Sequence, residues 1–426
     1  MEYLIPEAKI EKIYAYRSQR VLDLIKEHEL DFLYLWDYGN TRYAFDVMPR
    51  FHPESDNCFG YLVSKDALVS PMVNDAFGDT HPHSPGGIYD PGKPGSVWKV
   101  DDWRSAGSES YLRSVPRRWA RMMAEAIATH GSAKRIGFDG VPDLFALQEL
   151  QKLVPDVEFV GMGIHLAKKR MIKSADEIEL FEEACKVHNR ILWNVMSEAE
   201  VGWKDFTMAS KMAEQFALLE CSEQHCLNLT YRFEPGSGVM GLTWTPVGRV
   251  YKEGDVISSD LGFMAFGGGT TDYGRTRILG ETSAKVREAY EWDIHNCHEI
   301  MATIKPGQML SSMTEKFIEA HDKKGYPLVM LGHGIGTQMD EMPQMNPADV
   351  QDYDVPLEEG MILCIEPTLI VECEKFGFQQ IWFEDEWVVE KNGLRRLAPL
   401  SYFDIDDADL ATTKGSGKAD KSPTHA

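Results

Sequence analysis

Three short stretches between residues 254 and 385 constrain this chain more than anything else in it. The first runs Gly254-Asp255-Val-Ile-Ser-Ser-Asp260-Leu-Gly262, crosses a glycine-rich segment, and returns as Asp272-Tyr-Gly-Arg-Thr276. A strand ending in an acid, a flexible turn and a second acid predict a hairpin with Asp260 and Asp272 facing one point. The second is Leu331-Gly-His333-Gly-Ile-Gly336, where glycines around one histidine let backbone crowd close to a ligand. The third is Cys364-Ile-Glu366-Pro367, a turn, then Ile381-Trp-Phe-Glu384-Asp385, again an acid on each arm of a hairpin. Taken singly these are ordinary, since a strand-end Asp is most often a turn residue. Taken together, four carboxylates and one imidazole make a cage for two divalent ions. Oxygen-rich ligation with an open position suits Mn, Fe, Co or Zn.

Charge narrows the partners. A net charge of -23 repels phosphate backbones and anionic lipid, which argues against nucleic acid and membrane surfaces. No run of about 18 apolar residues is present, so no membrane span is expected. The opening Met1-Glu2-Tyr3-Leu4-Ile5-Pro6 lacks the basic region and apolar core of a secretory signal. Seven widely spaced cysteines read as reduced thiols of a cytoplasmic protein. Cys221 and Cys226, with His225 between them, resemble half a zinc site without a second half, and read as buried thiols. No P-loop, complete dinucleotide fingerprint or G-x-S-x-G motif competes for the site.

Along the chain, apolar periodicity predicts a helix over residues 8–30 and a buried strand at Asp31–Trp36. Residues 60–63 and 67–69 read as a hairpin, and the Gly-, Pro- and His-rich stretch 74–107 as a long loop. A helix over 112–131, a strand at Arg135–Phe138, a helix at Leu144–Leu153 and a strand at Val157–Val160 follow. This alternation defines an α/β domain over residues 1–165. Ser174 followed by Glu177 is a capping box that starts a long helix to about residue 198. Further helices are expected near 203–219, 283–303 and 311–324, interleaved with tight-turned strands. Residues 166–403 are therefore an α+β domain, and 404–426 a disordered tail.

The ordered set Asp, Asp, His, Glu, Glu, within D-x-G, D-x-x-R-T, G-H-G-I-G, I-E-P and E-D, resembles the metal site of the creatinase, prolidase, aminopeptidase P and methionine aminopeptidase superfamily. The Lys168–Ile178 segment also resembles the join between the two domains of its longer members. The resemblance spans about residues 8 to 400. It implies a creatinase-like N-terminal domain followed by a pita-bread catalytic domain, and a homodimer. It makes Asp260, Asp272, His333, Glu366 and Glu384 the ligands of two divalent metal ions.

The chain departs from the peptidases of that superfamily at three places. They carry a histidine upstream of the first ligand, where this chain has Thr243. They carry another after the metal histidine, where this chain has Asp340. An arginine often precedes the last glutamate, where Trp382 stands. Loss of two imidazoles removes donors that would polarise a peptide carbonyl. An acid beside a dimetal centre can act as a general base. This pattern resembles the dimethylsulfoniopropionate (DMSP) lyases of the same fold. That resemblance implies Asp340 removing an α-proton from a small sulfonium or betaine-like acid, releasing dimethyl sulfide and acrylate. Aromatic faces stabilise such a cation by about 0.5–2 kcal/mol each, and Trp36, Tyr38, Trp244, Trp382 and Phe383 are candidates. Three readings stand at this point: a carbon–sulfur lyase, an Xaa-Pro peptidase or creatinase-type hydrolase, and a metal-free scaffold.

Overall fold

Apolar side chains recurring at helical spacing bury one face of the first helix, α1 (Glu7–Glu27), through Ile10, Ile13, Tyr14, Val21, Leu24 and Ile25. The structure is a computed structural model that describes residues 4–45, 47–49, 61–64, 78–80, 115–129, 133–141, 144–218, 223–230, 232–233, 248–265, 267–373 and 377–405. Two compact units are present, residues 6–170 and residues from 171 onward.

In the first unit, α1 leads to β1 (Phe32–Leu35), α2 (Tyr38–Phe45), β2 (Val47–Pro49), β3 (Tyr61–Ser64), β4 (Gly78–Thr80), α3 (Val115–Thr129), β5 (Arg135–Phe138), α4 (Leu144–Leu153), β6 (Glu158–Gly161) and α5 (Gly163–Met171). The main sheet has the order β3-β1-β5-β6, parallel except for β3. Strand β1 is apolar on both faces because both are covered. Leu33 and Leu35 pack with α1 and Leu166. Phe32 and Tyr34 pack with Trp119, Met123 and Leu150 on the opposite side. Strand β3 pairs with β1, not with the segment 67–69 expected from sequence. That segment, most of 74–107, residues 241–247 with Thr243 and Trp244, and the tail from 406 lie outside the described residues.

The second unit contains α6 (Ala175–Glu198), α7 (Asp205–Leu218), β7 (Glu223–Thr230), β8 (Arg232–Phe233), β9 (Val256–Ala265), β10 (Gly269–Ile278), α8 (Ala284–Thr303), α9 (Leu310–Lys324), β11 (Met330–Gly334), β12 (Glu341–Gln344), β13 (Ile362–Cys373), β14 (Gly377–Trp382), β15 (Asp385–Glu390) and β16 (Gly393–Arg396). Helix α6 starts with the expected capping box: Ser174 Oγ accepts from Glu177 N–H, and Glu177 accepts from Ser174 N–H. Two antiparallel sheets form, β10-β9-β7 and β12-β11-β13-β14-β8, the latter extended by β15 and β16.

Strand alternation positions the site. Along β13, Leu363, Ile365, Leu369 and Val371 enter the core with helices α8 and α9. Cys364, Glu366 and Thr368 therefore project from the other face. On β10, Thr271 faces α6, where its hydroxyl meets His188 Nδ1 at 2.9 Å. Asp272, one residue on, points the other way. The sheets meet where Gly274 and Glu384 exchange backbone hydrogen bonds of 3.4 and 3.0 Å.

Candidate metal centre

The β9–β10 hairpin places its two acids as the sequence pattern implies. Asp260 lies opposite Gly274 and Asp272 opposite Gly262, so both acids share one face, each across from a residue without a side chain. The turn between the strands uses positive φ at Gly267 and Gly268. The glycines flanking His333 have a steric reason. A Cβ at Gly332 would lie 2.0 Å from the Cys364 carbonyl oxygen, and one at Gly334 would lie 2.2 Å from that of Met342. Only glycine lets β11 lie this close to its neighbours, and that approach carries His333 to the acids.

The imidazole is at the centre of the group. His333 Nε2 lies 3.4 Å from Glu366 Oε1, 3.7 Å from Asp272 Oδ2 and 3.9 Å from Glu384 Oε1. Its Nδ1 donates to the Gly334 carbonyl at 2.9 Å. A carbonyl only accepts, so Nδ1 carries a proton and Nε2 is the ring nitrogen left facing the acids, the arrangement a metal-binding histidine uses. Asp260, Asp272, His333, Glu366 and Glu384 are all buried.

Electrostatics calls for cations. Burial raises Asp260 to about 6. Burial, then the charges of Glu384 and Asp260, push Asp272 well above the usual carboxylate range. Glu366 is raised by burial and then by Asp260, with Asp340 acting in the same direction. Glu384 is raised by burial and then by Glu366. Among the described residues, Asp260 Oδ1, Asp272 Oδ1 and Glu384 Oε1 are buried without a hydrogen-bond partner. Orphaned buried oxygens on crowded carboxylates, facing an imidazole nitrogen, fit divalent ions well.

Supporting residues lock the acids. Arg275, fully buried, donates to the carbonyls of Gly274 at 2.6 Å and Glu384 at 2.7 Å, and to Asp385 Oδ1 at 2.7 Å. It thereby pins the point where the sheets join. Burial opposes ionisation of Asp385, but Arg275 and Arg396 outweigh it and lower its pKa. Glu386 accepts the Asp272 backbone N–H at 2.9 Å. Lys173 and Glu341 form a buried ion pair at 3.2 Å beside Gly336.

The aromatic residues fare differently from the acids. Trp382 is buried, and its indole N–H donates to Glu366 Oε2 at 3.0 Å. Its ring covers Gly274, where a Cβ would come within 2.3 Å. It is thus a clamp on an acid of the cluster, not an open face for a substrate cation. Phe383 lies in the hydrophobic core, edge-on to Tyr402, which removes it from any binding pocket. Trp36 is half-buried in the first unit and stacks on Tyr34 at 6.4 Å. Tyr38 opens α2, and its side chain lies outside the described residues, as does Trp244. Asp340 is exposed and accepts from Gln344 Nε2 at 2.5 Å. Sequence reasoning read Cys364 only as one of seven reduced thiols, yet donor atoms of Asp272, His333, Cys364 and Glu384 all lie within 4.8 Å of one another. Its place two residues before Glu366 on a strand was the available signal.

Comparison with known proteins agrees with the fold and corrects the chemistry. Residues 179–391 match Metallopeptidase family M24. An Xaa-Pro dipeptidase of Pyrococcus horikoshii is 26% identical over 291 residues, 67% of this chain and 78% of that protein. One from Pyrococcus furiosus is 24% identical over 338 residues, 78% and 92%. Among solved structures, the prolidase from Pyrococcus horikoshii OT3 aligns with a TM-score of 0.67 at 19% identity, covering 91% of this chain and 99% of its own. The X-Pro aminopeptidase from Thermotoga maritima aligns with a TM-score of 0.67 at 17% identity, covering 90% and 97%. The fold is an N-terminal domain followed by a pita-bread domain. These relatives overturn the carbon–sulfur lyase reading, and with it DMSP as substrate and dimethyl sulfide as product. That reading rested on a few substitutions around an otherwise complete acid–histidine set. One of them, Trp382, is committed to Glu366. The chain belongs to the M24 metallopeptidase family, a divalent-metal family of the creatinase, aminopeptidase P and prolidase superfamily.

Proposed function

We propose that this protein hydrolyses short peptides of the Xaa-Pro dipeptide class at a dinuclear centre held by Asp260, Asp272, His333, Glu366 and Glu384. One observation carries the reading: His333 Nε2 converges with three carboxylates inside 3.9 Å, in a chain whose family relatives are Xaa-Pro dipeptidases. Divalent ions in such a site supply Lewis-acid polarisation of a carbonyl and activation of water at neutral pH.

The chain's own residues do the rest. Trp382 occupies Glu366 Oε2, which leaves Oε1 turned towards His333. Arg275 holds the backbone of Glu384 against β10. Asp340, near enough for its charge to act on Glu366, stands at the exposed edge of the site. A carboxylate accepts where an imidazole would donate, so Asp340 gives no help to a developing oxyanion. The expected enzyme is therefore a slow peptidase. A homodimer and a reducing, cytoplasmic compartment complete the proposal. The compartment is supported by the free thiols of Cys185, Cys297 and Cys364.

The test is proline release from an Xaa-Pro dipeptide by purified protein supplied with manganese or cobalt, with sedimentation run alongside. Metal-dependent release that disappears in Glu384→Gln supports the reading. Absence of release across a panel of Xaa-Pro dipeptides, in protein shown to carry metal, contradicts it.

A further inference from the structure

We infer that Cys364 is a sulfur ligand of the metal centre, making it a mixed sulfur–nitrogen–oxygen site that favours zinc, cobalt or iron over manganese and magnesium. The inference rests on the metal centre proposed above and adds a donor to it.

Geometry carries it. Cys364 and Glu366 lie on the same face of β13, because the residues between and beyond them, Leu363 and Ile365, enter the core. Cys364 is paired directly opposite His333 in the β11–β13 ladder, so the two side chains leave neighbouring strands side by side. Donor atoms of Asp272, His333, Cys364 and Glu384 lie within 4.8 Å of one another. Sulfur and nitrogen bound to one tetrahedral zinc-sized ion are roughly 3.6 Å apart. The donors would draw in by up to about 1.2 Å on sharing an ion, a movement that side-chain torsions can supply.

A second observation points to the same spot. Asp272 Oδ1 and Glu384 Oε1 have no hydrogen-bond partner, on residues only 3% and 1% exposed. The other described free thiols are placed differently. Cys185 donates to Glu386 Oε2 at 3.3 Å, and Cys297 sits in the apolar core on α8. Cys364 is the described thiol whose neighbours are metal-binding side chains.

The chemistry is simple. On binding, the thiol proton leaves to solvent and the sulfur donates a lone pair to the cation; nothing is oxidised or reduced. A thiolate is a soft ligand in a set that is otherwise hard, so it shifts preference towards the softer ions of the first transition row.

Cobalt(II) alone is the probe. Metal-stripped wild-type protein, Cys364→Thr and Cys364→Ser are loaded with cobalt, and bound metal and absorption spectra are measured. The expected result is a near-ultraviolet sulfur-to-cobalt charge-transfer band in the wild type that vanishes in both variants while cobalt stays bound. The zinc-over-manganese affinity ratio should fall by about tenfold or more in the variants, at least the loss seen when a supporting partner of a metal site is removed. Bound cobalt without the band, or a band that survives in Cys364→Thr, overturns the sulfur ligand and leaves the metal centre standing. No bound cobalt at all overturns both. Should the variants fail to fold, zinc-edge X-ray absorption on the wild type decides alone: a sulfur scatterer at about 2.3 Å supports the inference, and a shell of nitrogen and oxygen only at about 2.0–2.2 Å overturns it.

Discussion

At the scale of single residues, the account turns on what touches the acids. Trp382 donates to Glu366 Oε2 and covers Gly274 with the far edge of its indole, so Trp382→Phe should lose the hydrogen bond and leave a small cavity over Gly274. Metal affinity is expected to fall by about 10–100-fold, the usual effect of removing a ligand's outer partner, alongside a loss of about 1–3 kcal/mol of stability in the metal-free protein from the cavity. Calorimetric metal titration reads this directly; an unchanged affinity removes Trp382 from the site. Asp340→His puts a donor where the resemblance to the superfamily's peptidases implies one. Xaa-Pro hydrolysis should rise by about tenfold or more, given that a single oxyanion donor is typically worth about 10²–10³. Steady-state kinetics that stay flat or fall would show that Asp340 is not the limiting departure. The acids and the histidine were legible in the sequence because they recur in a fixed order within short motifs, although Asp260, Asp272 and Glu366 lie inside their strands and only His333 is flanked by glycine. The roles of the aromatic residues were not. Trp382 pairs with Thr368, which puts it on the face of Glu366, whereas Phe383 enters the core. That register depends on where the β13–β14 hairpin turns, which spacing alone does not state.

At the scale of elements, periodic and capped segments were readable, and so were short apolar strands such as β1, β5 and β6, while others were not. Helix α6 begins at the Ser174 cap as expected, and α8 and α9 fall within a residue of their predicted bounds. Their amphipathic stripes are long enough to average out local exceptions. Strands β8 and β12, and the pairing of β3 with β1, have no such signal, because two to four residues carry almost no periodicity. Two substitutions test the elements. Ser174→Ala removes one half of the capping box and should cost about 1 kcal/mol in urea unfolding. Gly274→Ala drives a methyl into the Trp382 ring at the junction of the two sheets. A loss of about 1–3 kcal/mol is expected from overpacking alone, together with weakened metal binding because Glu384 is hydrogen-bonded to that residue. Retention of full stability would mean that the junction is softer than its geometry implies.

At the scale of the whole molecule, metal and pH are linked through the buried cluster. Its carboxyl groups have folded-state pKa values raised above their unfolded ones, Asp260 to about 6 and Glu386 to about 8, burial being the main cause. A raised acid favours the folded state at low pH, and that contribution is lost as pH rises through the folded value. Metal-free protein should therefore lose stability between about pH 5 and 8, while bound cations cancel the repulsion and flatten the slope. His188 and His298 act oppositely. Burial lowers both to about 3, so each favours folding above its ordinary value of 6.5 and loses that contribution as pH falls towards 3. Neither is among the five proposed ligands, so their effect is the same with and without metal. The difference between the two melting curves isolates the cluster. Calorimetry across pH 5–8 should show a metal-induced rise in Tm that grows with pH; a rise that is constant with pH would contradict the linkage.

The central claim is that five converging side chains hold metal and that this metal makes the protein a peptidase. The most direct measurement pairs elemental analysis with Xaa-Pro dipeptide hydrolysis on the same samples of wild type, Asp272→Asn and Glu384→Gln. The account predicts about two equivalents of divalent metal per wild-type chain, as for other two-metal hydrolytic sites. It also predicts loss of metal and of proline release together in both variants, with folding intact. Wild-type protein that binds no divalent metal, or variants that keep both metal and activity, would contradict it.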